Sequence, residues 1–191
     1  FSSMTYSYAL SLADFNGDGW IDSAVGAANA VAFTNPYLDT FLNNADGTGT
    51  FSNNRAMSPV GSGSDPDTWA VTTGDWNGDG HPDIAAIGAV ASGNNVISVF
   101  MNNGTGTSFS GPTTYAMGTV SLMGLTSGDV NADGHPDLVA SDNSTNQVSV
   151  YINNGSGVFA AQVTYNVNAS TGGPGGLTVA DVNGDGWPDI I

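Results

Sequence analysis

The chain has no cysteine, no lysine and no glutamate, and Arg55 is its one arginine. Without cysteine there is no disulfide framework and no thiolate metal site, so the redox compartment leaves no mark on the sequence. A single Lys or Arg against 17 acidic residues, for a formal charge of −16, removes the cationic footprint that nucleic-acid phosphates require. The same imbalance disfavours anionic membranes. The longest apolar run, around Ile84–Ala91, falls well short of the roughly 20 residues that span a bilayer, so no membrane insertion is expected. Without Glu, Lys or Cys, the inventory of general acids, bases and nucleophiles is thin. A non-enzymatic protein is expected.

What the chain has in quantity is aspartate, placed with a pattern. Asp14-Phe-Asn-Gly-Asp-Gly-Trp-Ile-Asp22 recurs as Asp75-Trp-Asn-Gly-Asp-Gly-His-Pro-Asp83, Asp129-Val-Asn-Ala-Asp-Gly-His-Pro-Asp137 and Asp181-Val-Asn-Gly-Asp-Gly-Trp-Pro-Asp189. Every copy reads D-x-N-x-D-G-x-x-D. Oxygen-bearing side chains at loop positions 1, 3, 5 and 9, with a turn-permitting glycine at 6, make the oxygen-only ligand set of a hard cation such as Ca²⁺. The expected side-chain ligands are Asp14, Asn16, Asp18 and Asp22; Asp75, Asn77, Asp79 and Asp83; Asp129, Asn131, Asp133 and Asp137; and Asp181, Asn183, Asp185 and Asp189. The position-7 carbonyls of Trp20, His81, His135 and Trp187 would complete them. Asn-Gly and Asp-Gly also suit simple hairpin turns, but turn chemistry does not explain why all four copies keep the first and last aspartate. About four Ca²⁺ ions, one per loop, would halve the net charge.

An EF-hand would need a bidentate Glu at position 12 between two helices. Val25, Ala86 and Ala140 stand there, and the flanks have strand character: Tyr6–Leu12 alternates apolar with small polar residues, and Gln147–Ile152 is β-rich. The strand–DxNxDGxxD–strand unit, followed by Gly26-Ala27, Gly88-Ala89 or Ala140-Ser141, resembles the FG-GAP/VCBS repeat, at the secreted bacterial, VCBS-like end of that family. The resemblance implies an integrin-α-type β-propeller built from calcium-binding blades, with roles in adhesion.

The loops recur about every 50–60 residues, a period that marks a repeat of one supersecondary unit. Each period divides alike: a strand enters the loop, a second leaves it, a third ends in Asn-Asn (Asn43-Asn44, Asn102-Asn103, Asn153-Asn154), and a fourth follows Phe51, Phe109 or Phe159. The expected fold class is therefore all-β, a propeller-type array of four-stranded antiparallel blades over 5–60, 67–118 and 119–172 with a partial blade at 175–191, in one repeat domain. About three and a half blades are fewer than a closed propeller uses, and open arrays leave strand edges to be paired. The array is then part of a longer chain, or copies complete one another by self-assembly through open blade edges. Phe1 is no initiator, which suits a mature or trimmed chain.

Other candidates are weaker. His81 and His135 share a loop position with Trp20 and Trp187, so the backbone matters there more than the ring. Asp65-Pro-Asp67 is a paired carboxylate in a Gly/Ser-rich stretch around Val60–Thr68, with no partner nearby; it reads as a solvated loop. Trp76 is expected to pack between blades, whereas Trp20, Trp69 and Trp187 could stack on sugars. Asn103, Asn143, Asn154 and Asn168 begin N-x-[S/T] triplets at the frequency chance provides. The reading is a secreted or cell-surface, calcium-stabilised repeat protein for adhesion or for binding an extracellular protein or glycan. The alternatives are a structural subunit of an extracellular filament and the accessory propeller of a secreted carbohydrate-active enzyme.

Overall fold

A computed structural model describes residues 4–29, 37–57, 68–89, 94–118, 122–167 and 173–191. All regular structure among them is β. Strands β1 (Met4–Ala13), β2 (Asp22–Asn29), β3 (Tyr37–Asn43) and β4 (Phe51–Met57) form one antiparallel sheet in chain order. β5 (Thr68–Gly74), β6 (Asp83–Ala89), β7 (Asn95–Asn102) and β8 (Phe109–Gly118) form a second, and β9 (Leu122–Gly128), β10 (Asp137–Asp142), β11 (Gln147–Tyr151) and β12 (Val163–Asn166) a third. β13 (Val179–Ala180) and β14 (Asp189–Ile190) pair alone. The described residues thus form an all-β array of repeated four-stranded antiparallel blades of the β-propeller type, three complete and one represented by its first strand pair. The Val60–Asp67 stretch with Asp65 and Asp67, and the triplet at Asn168, lie outside the described residues.

Register explains why one loop sequence serves every blade. Each D-x-N-x-D-G-x-x-D segment joins the first strand of a sheet to the second, and the residue after the last aspartate sits opposite an aromatic of the third strand: Ser23 faces Phe41, Ile84 faces Phe100 and Leu138 faces Tyr151. β3 and β7 end on Asn43 and Asn102, and Phe51 and Phe109 open β4 and β8. The third blade departs slightly. β11 stops at Tyr151, Asn153 forms an isolated bridge to Phe159, and β12 begins only at Val163.

Two compact units are present, Phe1–Thr73 with Gly80–Thr119 and Gly74–Asp79 with Val120–Ile191. In the first, Phe15, Ala24, Leu38 and Leu42 pack with Val71, Ile84, Ala86 and Phe100. The alternation of β1 directs the small Ala9 and Ala13 onto this cluster and leaves Leu10 and Leu12 exposed on the other face. The core of the second unit is the β-branched set Val139, Val148 and Val150, flanked by Val130, Ile152, Val167, Leu177 and Val179. Residue 2 of the loop joins the core wherever it is aromatic. Phe15 is fully buried edge-on to Phe109 (centroids 6.0 Å, 77°), and Trp76 is fully buried edge-on to Phe159 (5.9 Å, 73°), with its Nε1–H donating to Ser127 Oγ at 3.0 Å. Full burial of such a ring contributes about 1.5–3 kcal/mol. The first and second loops are thereby anchored from below.

Candidate metal centre

The backbone of each loop is wound around its first aspartate. Asp14 Oδ1 accepts from the N–H groups of Gly17 (2.8 Å) and Asp18 (3.2 Å), and its Oδ2 accepts from Gly19 (2.8 Å). The same bonds recur where Gly78 and Asp79 donate to Asp75, where Asp133 and Gly134 donate to Asp129, and where Gly184 and Gly186 donate to Asp181. For Asp181, those two amide bonds hold the carboxyl below its ordinary range. Winding this tightly needs a left-handed residue at position 6, and Gly19, Gly80, Gly134 and Gly186 hold φ between 85° and 89°.

Positions 3 and 5 meet on the exposed side. Asn16 Nδ2 donates to Asp18 Oδ2 at 2.9 Å, with equivalent pairs Asn77–Asp79 at 2.9 Å and Asn131–Asp133 at 2.8 Å. The position-5 carboxylate also accepts the position-7 N–H, from Trp20 (2.8 Å), His135 (2.9 Å) and Trp187 (2.8 Å). For Asp133, the Asn131 and His135 bonds lower the carboxyl. Positions 1, 3 and 5 are therefore gathered at the exposed tip.

Position 9 is placed differently. Asp22, Asp83 and Asp137 are fully buried. Asp22 accepts from Phe15 N–H on Oδ2 and from Asn43 N–H on Oδ1, both at 2.8 Å; Asp137 accepts from Val130 N–H at 3.0 Å and Asn153 N–H at 2.8 Å. Asp83 Oδ1 takes the N–H of Asn102 at 2.8 Å. Burial pushes Asp22 and Asp137 up, against these amide bonds, and the position-1 and position-5 carboxylates add repulsion in both cases. Among the described residues no three carboxylate or imidazole groups form a metal cluster by themselves. A complete ligand set would draw also on the carboxamide and the position-7 carbonyl. An all-oxygen set rich in carboxylate, on a loop turned by glycine, fits the chemistry of Ca²⁺.

The position-7 rings lie away from the loop centre. A Cβ built on Gly104 would stand 2.6 Å from His81 Nε2, and one on Gly155 at 2.6 Å from His135 Nε2, so each imidazole lies against the hairpin after the third strand of its own blade. Trp187 is largely exposed, and Trp20 and Trp69 on β5 are exposed over a smaller part of their surface.

Sequence reading missed the first asparagine of each Asn-Asn pair. Its recurrence placed a strand end but gave no sign of a partner. In the fold its main-chain N–H holds the position-9 carboxylate, and in two blades its side chain is buried and fully bonded. Asn102 Nδ2 donates to Phe15 O (2.8 Å) and Pro82 O (3.0 Å), while its Oδ1 accepts from Gly104 and Gly106 N–H. Asn153 repeats this with Trp76 O (2.8 Å), Pro136 O (3.0 Å), Gly155 and Gly157.

No curated protein matches the chain. The family model described as FG-GAP-like repeat matches residues 14–86, 89–140 and 129–191, so that each match takes in at least one of the aspartate loops. Such repeats are typical of extracellular or surface β-propeller proteins. Sequence, blade architecture and family match converge, and the chain belongs to the FG-GAP-like repeat family.

Proposed function

We propose that the chain is a non-enzymatic, calcium-binding β-propeller repeat protein of the extracellular space or cell surface, serving adhesion or the binding of a protein or glycan. The observation that carries the reading is the shared winding of the four D-x-N-x-D-G-x-x-D loops around their first aspartate, which gathers positions 1, 3 and 5 at an exposed tip, above a position-9 carboxylate that is fully buried in the first three. In the first loop Asp14, Asn16, Asp18 and the Trp20 carbonyl would hold the ion, with Asp22 closing the site from below; the other loops use their equivalents. The bound ion supplies positive charge that offsets three mutually repelling carboxylates. The chain's own residues do the rest: the first aspartate shapes the turn, and the buried ring at position 2, where present, fixes the turn to the blade.

With the affinity of about 10⁻⁴–10⁻³ M common in extracellular modules, a tenfold calcium excess adds about 1.4 kcal/mol per site by mass action. Four sites then contribute roughly 5–6 kcal/mol, comparable with a whole domain's net stability. Thermal unfolding of calcium-loaded protein, repeated in excess EGTA, tests this: a large fall in the melting temperature is expected, and an unchanged melt would refute the reading.

A structural subunit of a filament is the second reading. It is favoured by apolar surface inside each unit. Leu10, Leu12 and Phe51 are exposed in the first, and an apolar groove in the second is lined by Val148, Tyr165, Val167, Leu177, Ile190 and Ile191. Sedimentation velocity with and without calcium decides between them, since large calcium-dependent assemblies are expected only of the filament.

A further inference from the structure

The buried asparagines connect one loop to the next. Phe15, residue 2 of the first loop, gives its N–H to Asp22 of that loop and its carbonyl to the Nδ2 of Asn102 in the following blade. Asn102 in turn gives its own N–H to Asp83, the last residue of the second loop. Between the position-9 carboxylates of adjacent loops there are thus three hydrogen bonds and two residues, both almost wholly buried. In the other unit Trp76, residue 2 of the second loop, gives its carbonyl to Asn153, whose N–H holds Asp137 of the third loop.

Asn43 supplies an internal contrast. Its N–H holds Asp22 as the others hold their aspartates, but among the described residues its Nδ2 has only a long 3.4 Å bond to Ile21 O, within its own blade. The same residue at the same register therefore occurs both with and without the bond to another loop.

We propose that Asn102 and Asn153 are positioning residues that couple adjacent calcium loops, so that uptake of an ion by one loop favours uptake by the next. The proposal rests on the calcium reading above. Ordering a loop fixes its position-2 residue between the carboxylate below and the neighbouring carboxamide. The main-chain N–H and the carboxamide nitrogen and oxygen of Asn102 and Asn153 are all hydrogen-bonded, so they pass a displacement on rather than absorb it. A buried hydrogen-bonded chain that runs from one loop to the next is a contiguous physical link through which two sites can bias each other.

The test is calcium titration of the whole chain by isothermal calorimetry, comparing wild type, Asn102→Ala and Asn43→Ala. The wild type is expected to titrate more steeply than independent sites. Asn102→Ala is expected to lose that steepness and to raise half-saturating calcium by about fivefold, the lower end of ordinary coupling, while Asn43→Ala changes neither. Steepness is the informative readout, because a purely structural asparagine would lower stability without altering it. Should Asn102→Ala fail to fold, amide exchange on the folded Asp18→Ala variant carries the test: calcium should protect the Asn102 N–H about fivefold less than in wild type. Equal protection in the two, equal steepness in wild type and Asn102→Ala, or equal effects of Asn102→Ala and Asn43→Ala would overturn the coupling while leaving calcium binding intact. Absence of any calcium uptake by wild type would instead overturn the calcium reading, and the coupling with it.

Discussion

Replacing Asp137 with alanine should destabilise the protein even when no calcium is present. Both oxygens of this carboxylate accept main-chain N–H groups, from Val130 at 3.0 Å and Asn153 at 2.8 Å, and the side chain is fully buried. Truncation leaves two inward-facing N–H groups without acceptors, at about 1–3 kcal/mol each. Burial of the carboxylate, the largest cause of its raised pKa, means that removing the charge returns part of that cost. A net loss of about 2–4 kcal/mol is expected. Asp133→Ala, at the exposed fifth position, breaks bonds that solvent can replace and should leave stability in EGTA almost unchanged. Urea unfolding in EGTA, followed by the fluorescence of the buried Trp76, separates the two. With a slope near 2 kcal/mol/M, Asp137→Ala should move the midpoint down by about 1–2 M while Asp133→Ala barely moves it. Adding calcium should then open a gap between Asp133→Ala and wild type. If Asp137→Ala matched the wild-type midpoint in EGTA, the ninth residue would be a metal ligand and nothing more, and the structural role derived from its two amide bonds would be wrong.

Three further outcomes can be checked. Gly104→Ala should cost about 2 kcal/mol, because φ is +83° there and the new Cβ would stand 2.6 Å from His81 Nε2; equilibrium unfolding measures it, and a neutral result would mean that the imidazole moves aside freely. Ser98→Ala should stabilise by up to about 1 kcal/mol, since the Ser98 hydroxyl is fully buried with no hydrogen-bond partner; a loss in denaturant midpoint would refute this. Asp39 is buried on β3 where the other blades carry Ser98 and Ser149, and burial pushes its carboxyl up from 3.8. A raised carboxyl contributes stability below pH 3.8 that is lost as pH rises through the folded-state value, so Asp39→Asn should gain on wild type as pH increases from 3.8 toward neutrality; a constant difference across that window would contradict the assignment.

How much of this was legible beforehand differs between strands and loops. The period-2 texture of Tyr6–Leu12 and the β-rich Gln147–Ile152 gave strands where β1 and β11 stand, because backbone alternation writes itself directly into side-chain polarity. The fourfold loop gave the candidate ligands, since cation chemistry demands particular atoms at fixed spacing. Two things were not legible. The inward turn of Asp22, Asp83 and Asp137 depends on amides of Asn43, Asn102 and Asn153 on the third strands, and no local pattern specifies which distant N–H a carboxylate will meet. The exposed state of Leu10 and Leu12 was also hidden, because alternation says that a strand has two faces without saying which one is covered.

The lateral placement of the position-7 side chain has a consequence for how such repeats diversify. If this residue serves the loop through its backbone, its side chain is released from the loop's own requirements and can be exchanged without rebuilding the turn. This chain already shows two solutions, histidine resting on a hairpin glycine in two repeats and outward-facing tryptophan in the other two. The hairpin residue beneath varies in step, glycine under histidine and Ala45, at φ 55°, at the corresponding place in the first repeat. Each complete blade thus carries one pair of adjacent positions where surface character can drift or be engineered while the scaffold stays constant. An array of such blades is a row of interchangeable tiles, whose recognition properties can be rewritten one tile at a time.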